Sequence, residues 1–181
     1  MRKEWLSMRT MSDEAVAVPA LPVSIAQIND FARRVGEEFG IYDENGRANL
    51  PLLLAKLGGV VEVRDGAESL VIDDDDDTFT VYVSGRTSPR RDRFTIAHEV
   101  GHLLLHHLNG DRSLRRFTRK GSNAAETQAN YFAAALIMPE DHFKAAHAAL
   151  DGDLWGLARQ FDVSPAAAGV RCSVLGLKTA Q

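Results

Sequence analysis

The stretch RFTIAHEVGHLLLHH, Arg93–His107, decides how the rest of the chain is read. Its apolar residues recur at helical spacing, and residues four apart on a helix share a face about one turn along. His98 and His102 therefore direct two imidazoles at one point. Glu99 stands beside His98, so its carboxylate reaches the flank of that point rather than its centre. Two fixed nitrogen ligands with a general base alongside are what metal-assisted hydrolysis needs. The bland alternative is an amphipathic helix decorated with histidines, and it leaves two costs unexplained. One is a carboxylate set in the apolar turn FTIAHEV. The other is Gly101 inside a helix, worth about 1 kcal/mol against Ala, which makes sense where a backbone or a substrate approaches closely.

A third ligand is required. The long motif HExxHxxGxxH is excluded, because Leu105 and Leu108 stand where it needs Gly and His. His106 lies one turn beyond His102, but three ligands on one straight helix do not converge on a tetrahedral ion. His106 and His107 are therefore expected as helix-end residues favoured by the C-terminal dipole. The better candidate is Glu126 in AETQANYFAAALIMP, Ala125–Pro139, some two dozen residues after His102. A loop of that length returns the chain antiparallel. Ala124, Ala125, Ala129 and Ala133 let two helices pack closely. Asn130, one turn past Glu126, shares its face and is placed to hydrogen-bond a ligand from behind. The competing reading of Glu126 is a first-turn acid that serves its own helix dipole.

The two stretches together resemble the ImmA/IrrE family of HExxH zinc metallo-endopeptidases. The likeness rests on R-F-T-x-A-H-E-x-G-H followed by E-x-x-A-N-x-F-A-A-x-L-x-M-P, and extends over Pro22 to Leu177. It implies a zincin-like core, a small antiparallel sheet packed on helices. It implies His98, His102 and Glu126 as ligands of one zinc ion and Glu99 as the catalytic glutamate. Two histidines and one carboxylate with an open fourth position favour Zn2+, with Mn2+ or Fe2+ as the alternatives. The implied substrate is a partner protein, a helix-turn-helix repressor of the XRE type, whose cleavage would release stress-response or mobile-element genes. A second class of function stays open: a metal-stabilised regulator that holds a repressor or DNA without cutting it. Only catalysis requires Glu99.

Outward from these helices, the pattern is α+β. Ile25, Ile28, Phe31, Ala32, Val35 and Phe39 predict a helix capped by Ser24 and stopped near Gly40. A second helix follows Asn49-Leu50-Pro51 and ends at Gly58-Gly59. VVEVRD and TFTVYVSG read as strands. In the latter, Phe79, Val81 and Val83 share one face, and Thr80 and Tyr82 the other. Thr78–Val83 is either an edge strand, to which an extended substrate adds through its backbone, or an internal one. Asp73–Asp77 is a solvated turn rather than a calcium loop, for it lacks the turn Gly and the twelfth-position acid. GRTSPRRDR leads into the metal helix. Arg115–Gly121 reads as a basic loop, and Pro139 breaks the Glu126 helix.

Residues 1–20 are expected to form a disordered extension, 21–150 the metallopeptidase domain, and 151–181 a helix-turn-helix-like segment on the same domain. In that segment Val163–Pro165 forms the turn. Ala166, Ala167, Ala168 and Gly169 offer almost no base-edge hydrogen bonds, so packing or partner docking is expected and direct DNA binding is not. No sensor module is expected after Leu177. An oxyanion-stabilising group is also needed, and Tyr131, His142, His147 and Tyr82 are candidates that spacing does not separate. Arg86, Arg90, Arg91 and Arg93 precede the metal helix; Arg115, Arg116, Arg119 and Lys120 follow it. Solvated loop charge is the default for both clusters.

Composition agrees with one ordinary globular domain: 181 residues, 45% apolar, 25% charged, net charge −4. That charge supplies no broad basic field for nucleic acid or anionic lipid. Cys172 is the only cysteine, so no disulfide can form within the chain, which suits the cytoplasm. Charge and proline break up MRKEWLSMRTMSDEAVAVPALP before a signal-type apolar region forms. No run approaches the roughly 20 apolar residues of a membrane span, and no membrane association is expected.

Overall fold

A computed structural model describes residues 18–73, 78–110, 116–118 and 124–180. Helix α1 (Ile25–Glu38) begins as its sequence dictates. The Ser24 side chain accepts from Gln27 N–H while the Gln27 side chain accepts from Ser24 N–H, a reciprocal cap. Its apolar stripe buries Ile28, Ala32 and Val35. Asn49 caps α2 (Leu50–Leu57), Pro51 fits its first turn, and Gly58 ends it at a φ of 76°.

Four strands follow: β1 (Gly59–Arg64), β2 (Ser69–Asp73), β3 (Thr78–Ser84) and β4 (Arg116–Thr118), in the order β1-β3-β2-β4. The sheet is mixed, not wholly antiparallel as expected. β3 returns antiparallel to β2 and is inserted between β2 and β1, where it runs parallel to β1 with Gly59 opposite Phe79; β2 also pairs antiparallel with β4. β3 is therefore internal, and the edges are β1 and β4. Two strands went unread in the sequence. SLVID is only five residues long and runs straight into the acidic stretch, and RFT lies in a stretch whose charge suggested a loop. Asp73 closes β2; residues 74–77, with the rest of the acidic run, lie outside the described residues, as do those flanking β4. Phe79, Val81 and Val83 are buried and Thr80 and Tyr82 half-buried, as the alternation predicts.

Helix α3 (Pro89–Gly101) starts a turn earlier than the apolar pattern suggests. Ser88 accepts from Arg91 N–H and Pro89 sits at the first helical position, so the signal lay in the cap rather than in the periodicity. A π-helical segment, His102–Leu108, continues it. Then come α4 (Ala124–Ile137), α5 (Glu140–Ala149), α6 (Leu154–Phe161) and α7 (Pro165–Val174). One continuous core joins the layers, from Leu53 and Val81 through Val100, Phe132 and Leu136 to Phe143, Phe161 and Cys172. α6 and α7 meet at a tight turn. Asp162 adopts the left-handed conformation (φ 55°), Val163 is buried, and Ser164 caps α7. Val170 and Val174 of α7 remain exposed.

Candidate metal centre

α3 and α4 lie side by side, and small residues permit it. A Cβ on Gly101 would come within 3.3 Å of the Ala129 backbone and 3.1 Å of the Phe132 ring. Ala125, Ala129 and Ala133 are fully covered. The close approach that the mid-helix glycine predicts is thus to the α4 backbone.

This contact brings His98, His102 and Glu126 together. His98 Nε2 lies 3.1 Å from His102 Nε2; Glu126 Oε2 is 3.2 Å from the former and Oε1 3.0 Å from the latter. Both histidines and Glu99 are at most 2% exposed, and Glu126 is 8% exposed. Burial acts to raise the Glu126 carboxyl, but its hydrogen bonds with His102 and His98 outweigh this and hold it at about 2. A carboxylate and two imidazole nitrogens facing one point call for a positive charge among them. Two nitrogens and one carboxylate oxygen are also a donor set that zinc takes in sites with an open position. The group could hold a metal ion.

The outer nitrogens are also held. His98 Nδ1 lies 2.9 Å from Asn130 Oδ1, the bond that the spacing of Asn130 after Glu126 anticipates. His102 Nδ1 lies 3.0 Å from His106 Nδ1, and His106 Nε2 lies 3.1 Å from Gln128 Oε1. His106 and His107 stand in the last turn of the helix, as expected, and neither belongs to the three-donor group. They are 1% and 7% exposed. The π-helical winding carries His106 inward, behind His102 rather than towards the ion position. Burial pushes the His106 imidazole down to about 4, so it is neutral near neutral pH. Gln128 was missed entirely in the sequence. Its place two residues after Glu126 carries no motif, and only the returning chain shows what it meets.

Of the four oxyanion candidates, Tyr131 alone borders this region. It lines a cleft of about 630 Å³ together with Asn130, Thr127, Phe94 and the α7 residues Val170 and Val174. His142 packs beside Tyr42, His147 Nε2 bonds Lys178 O at 2.6 Å, and Tyr82 lies under the Arg64 guanidinium. The arginines before α3 are engaged locally. Arg86 pairs with Asp65, Arg90 with Asp162 and Arg91 with Glu68, while Arg93 donates to Ala48 O. The second basic cluster lies outside the described side chains. Cys172 is a core residue whose thiol burial pushes up.

The family model described as IrrE N-terminal-like domain, a peptidase family, matches residues 60–173. Among solved structures, a Mycobacterium tuberculosis transcriptional regulator superposes with a TM-score of 0.56 at 22% identity, over 82% of this chain and 46% of that one. At that identity the likeness is one of fold, and the chain spans under half the regulator's length. No curated protein matches the chain. Among the described residues, no helix is long and apolar enough to cross a membrane.

Proposed function

The chain belongs to the IrrE N-terminal-like peptidase family, and on that premise we propose that it is a zinc-dependent endopeptidase acting on a partner protein, a helix-turn-helix repressor. The observation that carries this reading is the meeting of His98, His102 and Glu126 with buried Glu99 next to the first of them. His98 and His102 would hold zinc through their Nε2 atoms and Glu126 through its carboxylate. Mn2+ or Fe2+ would suit the same donors. Zinc, when bound, supplies the Lewis acidity that makes water nucleophilic near neutral pH and polarises a carbonyl.

The chain's own groups do the rest. Glu99 takes a proton from the attacking water and hands it to the leaving amine, so it serves first as base and then as acid. Asn130 keeps the His98 ring in one orientation. Burial of Glu99 and both histidines limits competing water around the reacting atoms. Tyr131, on the wall of the neighbouring cleft, is the group to donate to the developing oxyanion. A cytoplasmic repressor substrate fits the single unpaired cysteine; its cleavage would release the genes it silences.

The test is intact-mass analysis of the zinc-loaded protein incubated with the helix-turn-helix repressor encoded beside its gene, with Glu99→Gln as control. One cut, made by the wild type alone, is the expected result. If Glu99→Gln still lifts repression in a reporter assay, the protein acts by holding its partner and the peptidase reading falls.

A further inference from the structure

A neutral histidine carries one N–H and one lone pair, so a row of hydrogen-bonded imidazoles has a direction, and one fixed end sets it. Here the fixed end is backbone. Leu21 N–H donates to Gln128 Oε1 at 2.9 Å, and Leu21 O accepts from Gln128 Nε2 at 2.7 Å. An amide N–H only donates and a carbonyl only accepts, which leaves the Gln128 side chain a single orientation. The atom 3.1 Å from His106 Nε2 is therefore an oxygen, and it calls for N–H on that nitrogen. His106 Nδ1 then bears the lone pair. His102 Nδ1, 3.0 Å away, has to be the donor. That turns the lone pair of His102 Nε2 to the point where Glu126 and His98 converge, where an ion would take the place of the proton now shared with Glu126.

We infer that Leu21 and Gln128, acting through His106, lock His102 in the Nδ1–H tautomer that presents Nε2 to the ion. His106 and Gln128 are positioning residues, and the segment ahead of α1 is part of the metal centre although it lies 107 residues from Gln128 in sequence. The inference rests on the metal-centre reading above, and adds to it a route by which a distant backbone dipeptide determines the state of one ligand. It also accounts for the burial of His106 and Gln128 beside a site that three ligands already complete. Each supplies one donor and one acceptor in series, and neither could be replaced by an apolar residue without leaving its neighbour free to rotate or change tautomer.

The first experiment is long-range 1H–15N NMR of the histidines in the zinc-loaded, full-length protein. His102 should carry its proton on Nδ1 and His106 on Nε2. Zinc affinity is then measured by competition with a chromophoric chelator for two variants. Gln128→Met keeps the volume but removes the acceptor, and its affinity should fall about tenfold or more. Gln128→Glu keeps an oxygen towards His106 and Leu21 N–H, and should stay within about threefold of the wild type. A role in packing alone predicts the reverse order, because the glutamate buries a charge and loses a donor to Leu21 O. An Nδ1–H proton on His106 in the zinc-loaded wild type overturns the relay alone. So does a loss in Gln128→Glu as large as in Gln128→Met. Failure of the wild type to bind zinc at all would sink the metal centre and the relay with it.

Discussion

The pair formed by α3 and α4 and the pair formed by α6 and α7 both contribute to the apolar core, but they differ in how many polar groups they bury with it. The first, with its π-helical extension, buries His98, Glu99, His102, His106, His107, Glu126 and Gln128. The second buries Leu157, Ala158, Phe161, Val163, Ala168 and Cys172, with Arg171 as its one buried charge, and Arg171 donates to Met138 O at 3.1 Å. Apolar burial stabilises a fold directly, whereas buried polar groups at best recover their desolvation cost. One pair is therefore organised for stability and the other for chemistry. The two should respond differently to the same kind of substitution.

The largest effect is expected where chemistry is concentrated. Glu99→Gln keeps the size and nearly the shape of the side chain but removes the basic carboxylate. Cleavage of the repressor should fall by about 10² to 10⁴-fold, the usual worth of a positioned acid–base group. Zinc affinity and the urea midpoint should stay near wild type. A parallel loss of stability would mean that Glu99 is a packing residue, and the contrast between the two helix pairs would fail at its centre.

The mirror-image experiment is Phe161→Ala. Phe161 is fully buried with its ring 5.3 Å from that of Phe143. Truncation there should remove about 3–5 kcal/mol of unfolding free energy, read from denaturant titration. The molecules that remain folded should bind zinc as before, since α6 supplies no donor to the centre. A weakened site would show that the C-terminal pair shapes the metal centre as well as covering the core.

How far the sequence carried these regions depends on how local their signals are. Ser24 with Gln27, Asn49 with Pro51 and Gly58, and Ser88 with Pro89 act within a few residues, and the helices begin and end where these stand. His98, Glu99 and His102 lie within one turn or so, and Asn130 within one turn of Glu126, so their mutual placement follows from helical geometry alone. The parallel β1–β3 pairing is different, because register between strands is set by what the whole sheet packs on. Gln128 and Leu21 are further still from any local rule. Their bond exists only because α1 and the residues before it return to α4. His106 stays out of the three-donor group, as three ligands on one helix cannot converge, but its burial behind His102 was not legible, because it depends on the π-helical winding of the segment.

Gly101 offers a finer test on the chemical side. Replacing it by Ala gains about 1 kcal/mol of helix propensity. Against that, the new methyl meets the Ala129 backbone at 3.3 Å, and backbone yields less than a flexible side chain. Overpacking of this kind costs about 1–3 kcal/mol, so the net effect should be a loss of about 1 kcal/mol. The shift of α3 away from α4 should also separate Glu126 from the two histidines, and zinc affinity should fall with stability. A Gly101→Ala variant that is more stable and binds zinc unchanged would show that the helices have slack the structure does not suggest.

The smallest effect sharpens the comparison most, because it asks whether polar burial in α3 is functional as such or only at the residues that meet the ion. Thr95 is fully buried three residues before His98, and its Oγ1 meets no hydrogen-bond partner among the described residues. No hydrogen bond joins it to any of the three donors, so nothing in the proposed chemistry uses it. Thr and Val have nearly the same shape and similar helix propensities, so Thr95→Val exchanges a dehydrated hydroxyl for a methyl with little else altered. Stability should rise by up to about 1 kcal/mol, seen as a higher urea midpoint, with cleavage and zinc affinity unchanged. If stability falls instead, the hydroxyl has a partner in the folded protein. If cleavage falls while stability holds, the chemical region reaches a full turn further along α3 than the residues around the ion imply, and the boundary between the two kinds of packing has to be redrawn there.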